Sequence, residues 1–165
     1  MHMQMESAVH IAVEPYTPGI FDPFVELIAA PAEPGRQQLP AMQDGQESEA
    51  RLAFWCSHVA SRGTLPLSAV RMERHVHSAQ AFVPLGPTNW LVLVAPHTGD
   101  SLPDMTAARA FLPPVGMGVI YRRNVWHHPI AVFGEAARFA VLQWCFGDDR
   151  DTEFVDIEPC EVIQP

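Results

Sequence analysis

The sequence predicts an all-β protein, an antiparallel β-barrel or double-sheet jelly roll with a few short helices. Two observations predict this fold class. Sixteen prolines and ten glycines in 165 residues imply frequent turns and short elements. Between those turns lies a series of short apolar or alternating runs, which is typical of strands in a sandwich or barrel. Because hydrophobic residues make up 48% of the chain and charged residues 18%, we expect one globular domain over residues 1–165.

The first fifty residues predict a strand, a helix and a loop. Ile11 to Val13 is a short apolar run that favours a strand. Asp22-Pro23 predicts a helix start, since an acid caps the first turn and proline is tolerated at the first helical position. Pro31 ends this helix, and residues 31–50, rich in Pro, Gly, Gln and Glu, predict a long surface loop. The apolar residues at helical spacing inside the predicted helix are Phe24, Leu27 and Ile28.

The rest of the chain predicts strands. Leu52 to Val59 is apolar and strand-like, and residues 69–77 alternate along their length. One face of this second run is polar, so it faces either solvent or a polar cavity. The polar face carries Arg71, Glu73, His75 and His77, and the other face carries Val70, Met72 and Val76. The remaining predicted strands are Ala81 to Val83, Trp90 to Ala95, Val119 to Tyr121, Ile130 to Phe133 and Arg138 to Trp144.

Charge and hydropathy exclude several classes of partner. The net charge of −9 argues against nucleic acid and anionic membrane surfaces, which both attract basic proteins. No apolar run approaches the roughly 20 residues of a membrane helix, and Met1 to His10 lacks the pattern of a signal peptide. We therefore expect a cytoplasmic protein. A small carboxylate substrate is compatible with the charge, because four arginines lie in or beside the histidine-rich segments: Arg71, Arg74, Arg122 and Arg123.

Two short segments hold four of the eight histidines. The first, residues 73–80, reads E-R-H-V-H-S-A-Q, and the second, residues 124–129, reads N-V-W-H-H-P. Both lie beside strand-like sequence, so their imidazoles can converge inside a small barrel. Neighbours on an extended chain point to opposite faces. We therefore expect His127 to face the interior and His128, held extended by Pro129, to make a structural hydrogen bond.

The order and spacing of these motifs resemble the ureidoglycolate lyase family of cupin-fold enzymes. The resemblance runs from about Leu52 to Phe154, and the joint presence of the motifs is specific. They are E-R-H at residues 73–75, Q-A-F-V-P-L at residues 80–85 and W-H-H-P at residues 126–129. The departures from the family pattern are Val76 in place of proline, Arg122 in place of histidine after Tyr121, Gln143-Trp144 in place of Asp-Arg, and the lack of a Tyr-Gly pair near Phe24.

The resemblance implies a cupin-like antiparallel barrel and a lyase that releases urea from ureidoglycolate to give glyoxylate, a step of allantoin and purine breakdown. It also implies a homodimer. The Gln143-Trp144 departure keeps a second hypothesis open, a divergent cupin that acts on another small hydroxy or keto acid. A third hypothesis is a non-catalytic barrel that binds a small acid.

The resemblance also implies a site in which metal or substrate ligands come from separate strands. The ligand set is Glu73, His75, Gln80 and His127, whose donors suit a divalent ion such as Ni, Mn, Fe, Co or Zn. The catalytic candidates, which transfer protons near neutral pH, are Glu73, His75, His127 and Tyr121. The candidates for substrate binding are Gln80, Arg71 and Arg122, since arginine grips a carboxylate with two hydrogen bonds.

Two simpler interpretations of these residues stay open. Glu73 and Arg71 lie two positions apart on one strand face, so they can form an ordinary ion pair. His77 has no counterpart in the family pattern, and a solvated position at the rim of the cavity is its simplest placement.

Overall fold

The computed structural model describes residues 8–165, and within them the chain is built almost entirely of strands. The predicted all-β fold class is therefore confirmed. The elements are, in chain order, β1 (Val9–Ala12), α1 (Pro18–Phe21), β2 (Val25–Ile28), a 3-10 turn (Pro40–Gln43), β3 (Arg51–Val59), β4 (Leu67–His75), β5 (Gln80–Pro84), β6 (Asn89–Ala95), a 3-10 turn (Met105–Ala107), β7 (Arg109–Phe111), β8 (Gly118–Tyr121), β9 (Trp126–His127), β10 (Ala131–Phe133), β11 (Ala137–Cys145) and β12 (Thr152–Ile163).

The strands form two sheets that share one interface. The seven-stranded sheet has the order β1-β12-β4-β9-β6-β10 with β7 beside β6, and the five-stranded sheet has the order β2-β8-β5-β11-β3. Neighbouring strands are antiparallel, except that β1 pairs in parallel with β12. The larger sheet also curls, because a bridge between Val13 and Ala110 brings the end of β1 to β7. This arrangement is the barrel-like jelly roll that the sequence predicts.

Two of the three hydrophobic clusters among residues 8–165 follow from this curling. One core is made only of residues from the seven-stranded sheet and the segments that continue it, including Leu91, Leu93 and Trp126. The other lies between the sheets and combines Trp90 and Val92 of β6 with residues of the five-stranded sheet. Successive residues of β6 therefore point into different cores, as the alternation of a strand requires. This is why the apolar run of β6 is buried from Trp90 to Ala95.

The helix predicted from Asp22-Pro23 is wrong. Residues 25–28 form β2, which pairs with β8 and places Val25 opposite Tyr121. The helix lies earlier, at Pro18–Phe21, with Thr17 before its first proline and Asp22 at its C-cap. Apolar residues at Phe24, Leu27 and Ile28 span too few positions to separate helical from strand periodicity, and pairing with β8 decides between them.

Residues 31–50 contain one 3-10 turn and pack against the chain near Ser78. Ala41 and Gly45 are buried, whereas residues 31–38 are exposed. Gly45 has φ +105°, and a Cβ there would lie 2.8 Å from Ser78 Cβ, so a larger residue would collide. The Trp144 indole N–H donates to the Met42 carbonyl at 2.9 Å. This segment therefore covers the outer face of the five-stranded sheet, where Ala41 packs with Ala81 and Ile120.

Three predictions about the whole chain stay predictions. The absence of a signal peptide concerns Met1 to His10, most of which lies outside the described residues. The single domain over residues 1–165 and the cytoplasmic location are likewise untested. Among residues 8–165, no helix has the length and apolar character needed to cross a membrane.

Candidate active site

Two strands of the seven-stranded sheet place a carboxylate and two imidazoles together. Glu73 of β4 lies directly opposite His127 of β9, and directly paired residues project to the same face of a sheet. His75 lies two residues after Glu73 and shares that face. The His75 and His127 rings have centroids 5.6 Å apart, and one ligand atom from each of the three residues lies within 4.8 Å of the others.

The five-stranded sheet closes the site from the other side. Tyr121 of β8 stacks on the His127 ring, with centroids 4.1 Å apart and an interplanar angle of 12°. Gln80 of β5 is paired in register with Tyr121, so its amide faces the same space. The site therefore lies at the interface between the sheets, and both sheets contribute side chains to it.

His127 has a defined proton arrangement. Its Nδ1 lies 2.9 Å from the Val125 carbonyl oxygen, so Nδ1 donates and a neutral ring carries its lone pair on Nε2. Nε2 is buried and has no hydrogen-bond partner among residues 8–165. It lies 3.3 Å from the Glu73 Oε1 carboxylate oxygen. Two acceptors face each other here unless His127 takes up a proton or a cation or donor lies between them.

His75 is satisfied at both ring nitrogens. Nε2 lies 3.1 Å from the Gln80 Oε1 amide oxygen, and Nδ1 lies 3.2 Å from the Thr152 hydroxyl. The Gln80 amide nitrogen donates to Gln143 Oε1 at 3.0 Å. Because both ends of the Gln80 amide are engaged, Gln80 acts in this structure as a support for His75.

Burial and nearby charges shift the pKa values of the groups in the site. Burial alone would raise the pKa of Glu73, but the contact with His127 and the positive charge available on the histidines outweigh it, and the pKa lies below its ordinary value. Burial, together with the charge of His127, lowers the pKa of His75. Burial and the charge of Glu73 raise the pKa of Tyr121 well above its ordinary value. An ionised carboxylate thus lies beside a neutral imidazole and a neutral phenol.

The two arginines predicted to bind substrate lie in different places. Arg71 alternates with Met72, so it shares the Glu73 face of β4, and it pairs with Asp156 at 2.9 Å at the surface. Arg122 follows Tyr121 on β8 and points away from it. Its guanidinium donates to the Asp22 carbonyl at 2.7 Å. The structure therefore leaves Arg71 in a surface ion pair two positions before Glu73 and Arg122 on the outer side of β8.

The two remaining histidines of the motifs have separate contacts. His77 lies beyond the end of β4, with its ring edge-on to Phe146 at 5.7 Å between centroids. His128 is buried, and its Nδ1 donates to the Pro129 carbonyl at 2.6 Å. The expected structural hydrogen bond of His128 is therefore present.

Four polar residues that support the site escape sequence reasoning. Gln143 is visible in the sequence only as a departure from the family pattern, yet it holds Gln80. Ser78 and Asp151 are buried and hydrogen-bonded to each other, and Thr152 contacts His75. Ser78 and Asp151 lie more than seventy positions apart, and no local sequence pattern predicts such a contact.

Comparison with known proteins identifies the family. The family model described as ureidoglycolate lyase matches residues 8–164. Ureidoglycolate lyases from Escherichia coli O139:H28 (strain E24377A / ETEC) and Escherichia coli (strain K12 / DH10B) are each 36% identical over 96 residues, which is 58% of this chain. The matched part spans 59% of the length of those relatives.

Two solved structures are also similar. A dTDP sugar isomerase from Desulfovibrio desulfuricans G20 is 19% identical, with a TM-score of 0.48, over 79% of this chain and 83% of that one. A 3,4-ketoisomerase from Helicobacter canadensis is 14% identical, with a TM-score of 0.41, over 78% of this chain and 89% of that one. The resemblance seen in the motifs is confirmed by the family model, whose match covers nearly the whole chain, and this chain belongs to the ureidoglycolate lyase family.

Proposed function

We propose that this protein is a lyase that releases urea from ureidoglycolate and leaves glyoxylate. The observation that carries the proposal is a pair of buried polar atoms beside Glu73. His127 Nε2 and the Tyr121 hydroxyl both lack a hydrogen-bond partner among the residues that the structure describes. Such atoms are costly unless a ligand uses them. Membership of the family, and the name shared by the Escherichia coli relatives, give the substrate class.

The reaction moves one proton and breaks one bond. The proton leaves the C2 hydroxyl, the C2–O bond becomes a carbonyl, the C2–N bond breaks, and the urea nitrogen is protonated as it departs. No oxidant or reductant is required. In the proposed roles, Glu73 accepts the hydroxyl proton and Tyr121 donates to the leaving nitrogen. Transfer of the proton from Glu73 back to Tyr121 then restores the starting state.

The histidines orient these groups. His127 is held by the Val125 carbonyl at 2.9 Å and by stacking on Tyr121, so its Nε2 stays directed toward Glu73. When protonated, this Nε2 donates to Glu73 or to the developing carbonyl oxygen. His75 is held neutral by burial and lines the same space.

Arg71 is the arginine that we propose for the substrate carboxylate. It lies on the same face of β4 as Glu73, and its side chain is 54% exposed, so it can turn toward a ligand. Its present partner, Asp156, is 78% exposed, and an exposed ion pair of this kind contributes little to stability. Arg122 is engaged by the Asp22 carbonyl, which leaves Arg71 as the better candidate.

A divalent ion fits part of the ligand set predicted from the sequence. Glu73 and His127 offer an unpaired carboxylate oxygen and an unpaired Nε2 at 3.3 Å, and a ring nitrogen of His75 lies within 4.8 Å of both. Gln80 is already engaged at both ends of its amide. When bound, an ion of the Ni, Mn, Fe, Co or Zn type would lower the pKa of the substrate hydroxyl.

A homodimer is the proposed assembly. Strand β3 lies at the edge of the five-stranded sheet and presents exposed apolar residues there. Leu52 is 50% exposed, Phe54 is 67% exposed and Trp55 is 37% exposed. A long edge strand with such side chains is a ready surface for a second copy of the chain.

The test of the proposed activity is urea release by the purified protein, with metal content measured on the same sample. We expect urea and glyoxylate in equal amounts, and His127→Ala should lower the rate by at least about 10²-fold. His77→Ala is the matched control, because that ring lies beyond β4 against Phe146 and should leave turnover near normal. Wild-type protein that releases no urea, with or without added Ni or Mn, would refute the activity. Near-normal turnover in His127→Ala would refute the site.

A further inference from the structure

A continuous row of hydrogen bonds joins a remote carboxylate to His75. Asp151 accepts from the Ser78 hydroxyl, and Ser78 Oγ accepts from the Gln143 amide nitrogen at 3.2 Å. Gln143 Oε1 accepts from the Gln80 amide nitrogen at 3.0 Å, and Gln80 Oε1 lies 3.1 Å from His75 Nε2. We call these five side chains the polar row.

The polar row is enclosed within the protein. Each of its five members is buried, with exposures from 1% for Ser78 to 8% for Gln80. The tight contact of Gly45 with Ser78 and the packing of residues 40–46 cover its outer end. A polar atom without a hydrogen-bond partner costs more folding free energy inside such a row than in water. Each donor in the row must therefore face an acceptor.

Asp151 fixes that direction. Its carboxylate accepts two hydrogen bonds, one from the His77 backbone N–H and one from Ser78, and an ionised carboxylate only accepts. The Ser78 hydroxyl proton is therefore used on Asp151, and its oxygen can only accept from Gln143. The amide nitrogen of Gln143 must then face Ser78, because its oxygen there would meet another acceptor.

The same reasoning runs along the two glutamines. With its amide nitrogen toward Ser78, Gln143 presents its amide oxygen to Gln80. Gln80 must therefore donate its own amide nitrogen to that oxygen. Gln80 is then left with its oxygen toward His75, and only a protonated ring nitrogen satisfies it. The Thr152 hydroxyl can complete the arrangement by donating to Nδ1 at 3.2 Å.

We propose that Asp151 is a positioning residue, which acts through Ser78, Gln143 and Gln80 to keep the proton of neutral His75 on Nε2 and its lone pair on Nδ1. His75 then has one defined tautomer rather than two, with its Nδ1 lone pair directed at the Thr152 hydroxyl. Outer groups that fix a tautomer in this way are worth 10- to 100-fold in function in comparable sites. The effect on turnover rests on the proposed function, whereas the tautomer itself does not.

Asp151→Asn provides a nearly isosteric test, because it reverses the row. The new amide keeps an oxygen for the His77 N–H and turns its nitrogen to Ser78. The Ser78 hydroxyl is then free to donate to Gln143, both glutamine amides turn over, and Gln80 presents its nitrogen to His75. The expected result is a change of His75 from the Nε2–H to the Nδ1–H tautomer, with Thr152 accepting in place of donating.

Nitrogen-15 NMR of the histidine side chains measures this directly, in protein dialysed against a chelator so that no ion sets the tautomer. Wild type should show a protonated Nε2 for His75, and Asp151→Asn should show a protonated Nδ1. Ser78→Ala keeps the Cβ beside Gly45, breaks the row and should give a mixture of tautomers. Asp148→Asn is the control, since Asp148 pairs with Arg150 at the surface and should leave His75 unchanged.

Two NMR outcomes would overturn the proposal: a wild-type His75 protonated on Nδ1, or an Asp151→Asn protein that keeps Nε2–H while folded. Urea release is the second readout, in which Asp151→Asn should lower kcat by about 10- to 100-fold with KM changed less than about threefold. A tautomer that switches in a protein that never released urea would uphold the polar row and refute only the proposed function. A switch with normal turnover would refute the positioning role.

Discussion

The Tyr121 hydroxyl and His127 Nε2 are buried polar atoms that the described part of the chain leaves without partners. Each such atom costs on the order of 1–3 kcal/mol of folding free energy. They lie on rings stacked at 4.1 Å beside an ionised carboxylate, and the third such atom among the described residues is Asn124 Oδ1. Two free polar atoms on stacked rings mark a place where a ligand can complete the arrangement.

Removal of the Tyr121 hydroxyl should have opposite effects on activity and on stability. Tyr121→Phe should lower urea release by about 10²-fold, because the proton donor is lost. The same change removes an unsatisfied buried group, so the free energy of unfolding should stay level or rise by up to about 1 kcal/mol. Thermal melting and urea release on one preparation measure both effects.

Tyr16→Phe is the matched control among the two tyrosines of the chain. The Tyr16 hydroxyl donates to Asp22 Oδ1 at 2.8 Å, so its loss should lower the melting temperature slightly and leave turnover unchanged. If Tyr121→Phe instead melts several degrees below wild type, its hydroxyl has a partner in solution and the assignment of a free donor fails.

The two candidate arginines can be distinguished by their effect on KM. Arg71→Ala should raise KM for ureidoglycolate by about 10-fold or more, because a charge-assisted hydrogen bond to a carboxylate is worth roughly 1.5–3 kcal/mol. Arg122→Ala should leave KM near wild type, since that guanidinium donates to a backbone carbonyl. Steady-state kinetics of both variants measure these KM values. A raised KM in Arg122→Ala with a normal KM in Arg71→Ala would assign the carboxylate site to Arg122 instead.

Among the elements, β3 is the one whose side chains have the least cover. It runs for nine residues, Arg51–Val59, along one edge of its sheet. Isolated exposed apolar residues are normal on any protein, but here Leu52, Phe54 and Trp55 lie within four positions of one strand. Natural edges are usually blunted by charge or proline, and the middle of β3 carries neither.

A charge placed on β3 should therefore dissociate the proposed dimer. Wild-type protein should scatter light as a particle of about twice the 18.3 kDa chain mass at micromolar concentration, with an interface of at least roughly 1,200 Å². Phe54→Lys should give a monomer. Val115→Lys alters a residue that is 71% exposed outside the strand and should remain dimeric. A monomeric wild type would refute the assembly, and a dimeric Phe54→Lys would place the interface elsewhere.

Much of the strand pattern is predictable from the sequence, because alternation and apolar runs report which faces are buried. The β4 alternation places Glu73 and His75 on one side and Met72 on the other, and the structure has them so. The prediction that Val70 shares the Met72 face is wrong, because Val70 is 52% exposed and Ala69 is buried beside Met72 instead. The helix prediction at residues 22–28 fails because the segment is short. Four paired residues are too few to distinguish helical from strand periodicity. The register of β2 against β8 then depends on contacts about a hundred positions away.

The candidate site is predictable in part for a different reason. Motifs in two segments indicate Glu73, His75 and His127, but the side chains that orient them come from distant positions. Gln143, Ser78 and Asp151 carry no spacing signal, because their partners are set by how the sheets pack. The position of Arg122 on the outer side of β8 has the same origin, because its side follows from Tyr121 pointing inward, which only the register of β8 reveals.

At the scale of the whole molecule, burial of neutral histidines makes folding sensitive to acid. Burial lowers the pKa of both His75 and His128. In the unfolded chain these groups regain an ordinary value near 6.5, so the unfolded state binds more protons below about that pH. The free energy of unfolding must therefore fall as pH drops from about 7 toward the folded pKa values, and is fully recovered above about 7.

His128→Asn tests this dependence away from the reacting groups. Wild-type melting temperature should fall by several degrees between pH 7.5 and 5.5, and the variant should fall by less, although its melting temperature at pH 7.5 is lower because the bond to the Pro129 carbonyl is lost. His58→Asn, at an exposed position of β3, should keep the wild-type slope. Equal slopes in His128→Asn and wild type would refute the burial argument.

The site belongs to neither sheet alone. Glu73, His75 and His127 come from the larger sheet, and Tyr121, Gln80 and Gln143 come from the smaller one. A small acid that contacts Glu73 and Tyr121 together therefore fastens one sheet to the other, and its binding energy adds directly to the cost of separating them. At a ligand concentration of about 100 times Kd, that addition is about 2.7 kcal/mol. The supply of such a ligand would then raise the resistance of the folded protein to unfolding as well as its rate of turnover.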